Sequence, residues 1–183
     1  MAQRPGIFLD RDGTVIHDTG YIGDPELVQF MPAVLPALRH FQQAGYQLVV
    51  VSNQSGIGRG VITQQQYELV AQRIAELLRE HDISTATYYC PHSPDERCRC
   101  RKPNPYLLLR AARDLDIDLT RSYMIGDRLT DVEAGAAAGC KTILLGHIAF
   151  HERSSLGAAP DYVCPDWSCI SQVIAPELAI RTD

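Results

Sequence analysis

Ile7-Phe8-Leu9 is a short, wholly apolar run that stops at Asp10-Arg11-Asp12-Gly13-Thr14. The figure recurs three times. Leu48-Val49-Val50-Val51 ends at Ser52-Asn53-Gln54-Ser55-Gly56, Tyr123-Met124-Ile125 ends at Gly126-Asp127, and Thr142-Ile143-Leu144-Leu145 ends at Gly146-His147. None of these runs alternates apolar with polar positions, so each reads as a strand covered on both faces. Between them lie helical patterns. Residues 33–43 open after Pro32 and stop before Gly45, while residues 63–80 open on Thr63 as an N-cap and lay Tyr67, Val70, Ile74, Leu77 and Leu78 along one stripe. Two more helices are predicted over 105–115 and 130–138, and a last strand over 162–164 follows a weakly patterned loop at 147–160. This alternation predicts an α/β fold, a doubly wound and mostly parallel sheet with helices on both faces. Ligands of such sheets bind beyond the carboxyl ends of the strands, where Asp10, Ser52 and Asp127 fall.

Composition narrows the picture. The chain has 183 residues, 45% of them hydrophobic, enough to bury a continuous core, so one domain over residues 1–183 is expected. A formal net charge of -5 argues against general nucleic-acid binding. Residues 1–20 hold no apolar run of signal-peptide length and no segment approaches membrane-spanning length, which predicts a cytoplasmic protein without a membrane partner. A monomer is expected.

Two clusters carry chemistry. Asp10 and Asp12 flank Arg11 directly after a strand, and with Asp127 they offer the few oxygen ligands that Mg²⁺ accepts while keeping waters and a substrate phosphate. An acid pair in a loop is also how a solvated turn or helix cap is built, so the pair alone does not decide. The second cluster is Cys90, His92, Cys98 and Cys100. A reducing compartment keeps thiols free, disulfides would leave His92 without a role, and the one-residue spacings place each cysteine too close to its neighbour for an easy bridge. Four soft or borderline ligands with no open position point to structural Zn²⁺ in a zinc-binding loop. Cys140, Cys164 and Cys169 read as small buried apolar side chains.

The sequence FLDRDGT, then VVVSNQSG, CRKP and MIGDRLTD, resembles the four ordered motifs of the haloacid dehalogenase-like phosphatases. The resemblance implies their Rossmann-like fold and a role for each matching residue. Asp10 is then the nucleophile that forms an aspartyl-phosphate, Asp12 the general acid/base, and Ser52 the hydroxyl that bonds the transferring phosphoryl group. Lys102 neutralises charge, and Asp127 binds Mg²⁺ with Asp10 and Asp12. Asp131 is expected to orient Lys102 or cap the next helix. The stretches between the motifs are too short for a cap domain, so specificity falls to loops at residues 18–21 and 56–61 and to the cysteine loop.

DRDGT, SNQSGIGRG, the Cys/His loop and RKP together resemble one branch, the D-glycero-D-manno-heptose 1,7-bisphosphate phosphatases of lipopolysaccharide and S-layer sugar precursor synthesis, over residues 7–146. That branch removes the 7-phosphate of a phosphorylated sugar, and the match assigns Arg101 to substrate recognition. Asp18, Thr19, Gly20, Tyr21, Asn53, Gln54, Ser55 and Arg59 complete the expected substrate contacts. Two departures stand out: Ser52 where the branch typically has Thr, and Arg128 where it typically has Lys. They keep the related histidinol-phosphate phosphatases as an alternative, although a cationic substrate calls for acids and the arginines point the other way. A zinc-stabilised, non-catalytic interaction module is the alternative from another class; intact acids at all three metal positions oppose it.

Overall fold

Six strands, β1 (Arg4–Leu9), β2 (Gln47–Asn53), β3 (Thr85–Cys90), β4 (Ile117–Gly126), β5 (Lys141–Leu145) and β6 (Tyr162–Cys164), join in one parallel sheet. Their order is β3-β2-β1-β4-β5-β6. The computed structural model describes residues 3–146 and 159–179, so the loop predicted at 147–160 lies outside the described residues except for its last two.

The apolar runs form the middle of the sheet because alternate side chains point to opposite faces and both faces are covered. On β1, Ile7 and Leu9 enter one core and Phe8 the other; on β4, Tyr123 and Ile125 share the first core and Met124 the second. The first core takes buried residues of α1 (Val34–Gln43), α3 (Gln64–Glu80) and α6 (Trp167–Ala179), including Phe41, Val70 and Trp167. The second takes Leu108 and Ala111 of α4 (Tyr106–Leu115) and Ala134 of α5 (Leu129–Ala138). The predicted helices agree to within a residue, and Thr63 caps α3 as expected, its side chain accepting the Gln66 N–H while Gln66 returns the bond.

Elements that the patterning missed are peripheral. β3 is an edge strand whose residues are mostly half-buried, so it lacks an apolar run. The one-turn α2 (Ser55–Gly58) is too short for periodicity, and α6 follows β6 directly. A further correction concerns Cys164 and Cys169, expected as unpaired. The turn from β6 into α6 brings their Cα atoms to 5.4 Å, inside the range that a bridge spans, and they form a disulfide. No helix among the described residues is long and apolar enough to cross a membrane.

Candidate active site

The sheet order reverses between β1 and β4, and that is where the acids meet. The Asp10 N–H donates to the Ile125 carbonyl at 2.9 Å, fixing the end of β1 to the end of β4. The chain then coils tightly, with the Arg11 carbonyl accepting both the Val15 and the Ile16 N–H. Gly13 has φ +77°, and a Cβ there would stand 2.5 Å from the Asp127 Oδ2 atom. Glycine therefore serves twice, in the positive-φ turn and in the close approach of the two loops.

Lys102 binds this corner together. Its Nζ donates to Asp10 Oδ1 at 2.8 Å and to the Val51 carbonyl at 2.6 Å, and it pairs with Asp131 Oδ1 at 2.6 Å. Burial works against the ammonium, but Asp10 and Asp131 outweigh it and hold the Lys102 pKa above the ordinary lysine value. Asn53 clamps the lysine's backbone, accepting the Lys102 N–H at 3.0 Å and donating to the Lys102 carbonyl at 3.1 Å. Asp131 fills both roles foreseen for it, since its Oδ2 also accepts the Arg128 N–H at 3.1 Å, at the start of α5. Burial pushes its carboxyl up to about 7, with Lys102 opposing and Asp10 adding to the rise.

Carboxylate oxygens of Asp10, Asp127 and Asp131 all lie within 4.8 Å of one another. Three hard donors gathered this closely repel, and burial followed by the charge on Asp10 pushes Asp127 up to about 6. A small divalent cation with an oxygen preference fits that donor set. Of the acids expected to hold Mg²⁺, Asp10 and Asp127 converge. The Asp12 side chain does not join them; Arg11 captures it at 2.9 Å and the Gln54 amide donates to it at 2.8 Å. Burial, reinforced by Asp10 and opposed by Arg11, raises the Asp12 pKa above the usual carboxylate range.

The second cluster forms beside the first. Cys90, His92, Cys98 and Cys100 present ligand atoms within 4.8 Å of one another, with Cys100 Sγ at 3.1 Å from Cys90 Sγ and at 3.2 Å from His92 Nδ1. Three sulfurs and one imidazole nitrogen fit a tetrahedral Zn²⁺. The cysteine loop is tied to the loop after β2: the Gln54 N–H donates to the Cys90 carbonyl at 2.7 Å and the Gly58 N–H to the Pro91 carbonyl at 2.8 Å. The chain leaves Cys100 directly into Arg101 and Lys102.

A cavity of about 730 Å³ opens over the acids. Asp10 and Asp12 line it, and of the expected substrate contacts so do Asp18, Gly20, Tyr21, Asn53, Gln54, Ser55 and Arg101. Thr19 and Arg59 do not reach it; both are exposed, Arg59 where α2 ends and the chain turns away. Ser52 lies beneath the floor, 1% exposed, its Oγ accepting from Gln54 Nε2 at 2.7 Å. Arg128 was not foreseen as a site residue. It lines the cavity and pairs with Asp18 at 3.1 Å; the available signal was its unusual place directly after Asp127. Arg101 Nη1 is buried without a hydrogen-bond partner among the described residues, a donor free for an anionic ligand.

Comparison with known proteins agrees with this geometry. The HAD-hydrolase-like family profile matches residues 99–168. The chain is 43% identical over 149 residues to the D-glycero-β-D-manno-heptose-1,7-bisphosphate 7-phosphatase of Salmonella typhi, covering 77% of this chain and 79% of that one. The Escherichia coli K12 enzyme of the same name is 42% identical over 149 residues, with 77% and 78% covered. Among solved structures, the D,D-heptose 1,7-bisphosphate phosphatase of B. bronchiseptica, complexed with magnesium and phosphate, superposes with a TM-score of 0.83 at 31% identity, covering 94% of this chain and 99% of that one.

Proposed function

The chain belongs to the haloacid dehalogenase-like hydrolases, beside the heptose 1,7-bisphosphate 7-phosphatases, and on that footing we propose that it is a Mg²⁺-dependent enzyme removing the 7-phosphate of D-glycero-β-D-manno-heptose 1,7-bisphosphate. The convergence of Asp10, Asp127 and Asp131, the first and last paired with Lys102, at a cavity lined by Arg101 and Arg128 carries this reading. It serves the supply of heptose nucleotide precursors for lipopolysaccharide. On this reading the enzyme acts as a cytoplasmic monomer in one domain, with Cys90, Cys98 and Cys100 outside any disulfide and so able to hold a soft metal.

The chemistry follows from the residues. Asp10 and Asp127, with Asp131 beside them, would hold Mg²⁺, which would supply the positive charge that lets a phosphate dianion approach carboxylates. Lys102 holds one oxygen of the Asp10 carboxylate, and the other attacks phosphorus. A bond forms between Asp10 and phosphorus as the bond to the C7 oxygen breaks, and Asp12 gives that oxygen its proton. Asp12, then a carboxylate, takes a proton from the water that attacks the aspartyl-phosphate and releases inorganic phosphate. Its raised pKa suits the first role. Ser52 supports the phosphoryl group through Gln54, which hydrogen-bonds both Ser52 and Asp12. Arg101 recognises the 1-phosphate, with Arg128 and Asp18 framing the sugar. Cys90, His92, Cys98 and Cys100 would hold Zn²⁺, which would fix where Arg101 and Lys102 enter the site.

The test is a phosphate-release assay with the β and α heptose 1,7-bisphosphates, fructose 1,6-bisphosphate and histidinol phosphate side by side. The β heptose substrate is expected to have the highest kcat/KM, dependent on Mg²⁺. A higher kcat/KM for histidinol phosphate would assign the chain to that reaction instead.

A further inference from the structure

Asp12 does not hang free in the cavity. Arg11 Nε stands 3.1 and 3.2 Å from its two carboxylate oxygens and Arg11 Nη2 stands 3.0 Å from Oδ2. Arg11 Nη2 also donates to Gln54 Oε1 at 3.0 Å, and Gln54 Nε2 returns to Asp12 Oδ2 at 2.8 Å. The three side chains close a ring. The arginine is only 2% exposed, and its guanidinium carbon lies 5.4 Å from the centroid of the buried Tyr67 ring, which itself packs on Tyr89 at 4.1 Å. The guanidinium is therefore held from both sides.

This arrangement is not what stability alone would select. Taking a guanidinium out of water costs several kcal/mol, and a buried ion pair often recovers no more than an apolar replacement would. The hydrogen bonding is also incomplete: Arg11 Nη1 and the Tyr67 hydroxyl are both buried without a hydrogen-bond partner among the described residues. Both residues border the same small pocket, lined otherwise by apolar or threonine side chains such as Val50, Ile74 and Thr87 and by no acid. A buried polar group with unmet donors asks for another reason to be there.

We infer that Arg11 is a positioning residue, which, seated on Tyr67 and coupled to Gln54, fixes where the Asp12 carboxyl stands relative to the leaving oxygen. This rests on the assignment of Asp12 as general acid/base above. The arginine is absent from the cavity lining. Its influence runs through Asp12. A planar fork sets both the direction and the plane of a carboxyl group, which a lysine's single ammonium does not.

The experiment compares two phosphate monoesters. Heptose 1,7-bisphosphate has an alkoxide leaving group that needs the proton of Asp12; 4-nitrophenyl phosphate departs as a stable phenolate and needs little help. Arg11→Met is expected to lower kcat/KM for the heptose substrate roughly 100-fold, the loss that a displaced catalytic group brings, but for the nitrophenyl ester less than about 5-fold. Arg11→Lys should fall between wild type and Arg11→Met on the sugar, and Tyr67→Leu should reproduce the same selectivity in weaker form. Activity on 4-nitrophenyl phosphate also reports that each variant is folded. Equal losses on both esters in every variant, or full activity of Arg11→Met on the sugar, would overturn the inference. Asp12→Asn separates it from the reading beneath: if that variant keeps full activity on the sugar, the assignment of Asp12 has failed; if it collapses on the sugar while the Arg11 variants lose both esters equally, only the inference has.

Discussion

Two four-residue clusters sit beside each other in this molecule, and they are built in opposite ways. Asp10, Lys102, Asp127 and Asp131 come from segments far apart in sequence, and the parallel sheet sets their positions: the carboxyl end of β1, the end of β4, the start of α5 and the loop before α4. Cys90, His92, Cys98 and Cys100 come from one short loop off an edge strand. The oxygen cluster stands on a scaffold that needs no metal to exist, while in the sulfur cluster Cys90 alone is rooted in the core and Cys98 and Cys100 only pack against it from a loop. Loss of metal should therefore silence the first without unfolding it and should loosen the second. A reactive centre and its support can be told apart by what holds them in place.

The largest expected effect breaks the first cluster chemically. Asp10→Asn should reduce kcat roughly 10⁴-fold or more while circular dichroism and Tm stay close to wild type, since removal of a nucleophile abolishes the step and not the sheet. Next comes Lys102→Met, which strands buried Asp10 and Asp131 without their cation. Stability in denaturant should fall by about 3 kcal/mol along with turnover, a pairing that Asp10→Asn lacks.

Cys98→Ser tests the second cluster. It should lower Tm and raise KM together, with a smaller change in kcat, because the loop carries Arg101 toward the substrate and the acids remain in place; elemental zinc should fall in parallel. Unchanged KM and Tm after zinc loss would make the cluster irrelevant to the site.

The smallest effect is a pH dependence. Asp127 titrates near 3.8 in the unfolded chain and is raised to about 6 in the fold, chiefly by burial and by Asp10. The folded state thus holds the proton more tightly, and metal-free protein should lose stability as pH rises from about 4 through 6. Mg²⁺ relieves the repulsion between the ionised carboxylates. The rise in Tm on adding Mg²⁺ should accordingly be larger at pH 8 than at pH 5, by a few degrees.

The same contrast explains how much could be read from the sequence. The central strands were legible because burial on both faces leaves unbroken apolar runs, and the residues at their ends fell where the acids are. The Cys/His cluster was legible because its members are neighbours in sequence. Edge strand β3 was not, since half-burial leaves no run, and neither was the Cys164–Cys169 bridge, which depends on how β6 turns into α6. Within the site, side-chain direction was the hidden quantity. The spacing Asp-Arg-Asp could not show that Arg11 draws the Asp12 carboxylate aside while Asp131 takes its place near Asp10 and Asp127. Nor could the glycine-rich stretch show that Arg59 leaves the cavity, or the last motif show that Arg128 faces Asp18 across it.

The most direct test of the whole account is ³¹P NMR of D-glycero-β-D-manno-heptose 1,7-bisphosphate with the Mg²⁺-loaded protein. The phosphomonoester signal at C7 should pass into inorganic phosphate while the anomeric phosphate at C1 persists, leaving heptose 1-phosphate. Loss of the C1 signal first, or no release with Mg²⁺ present and zinc in place, would contradict it.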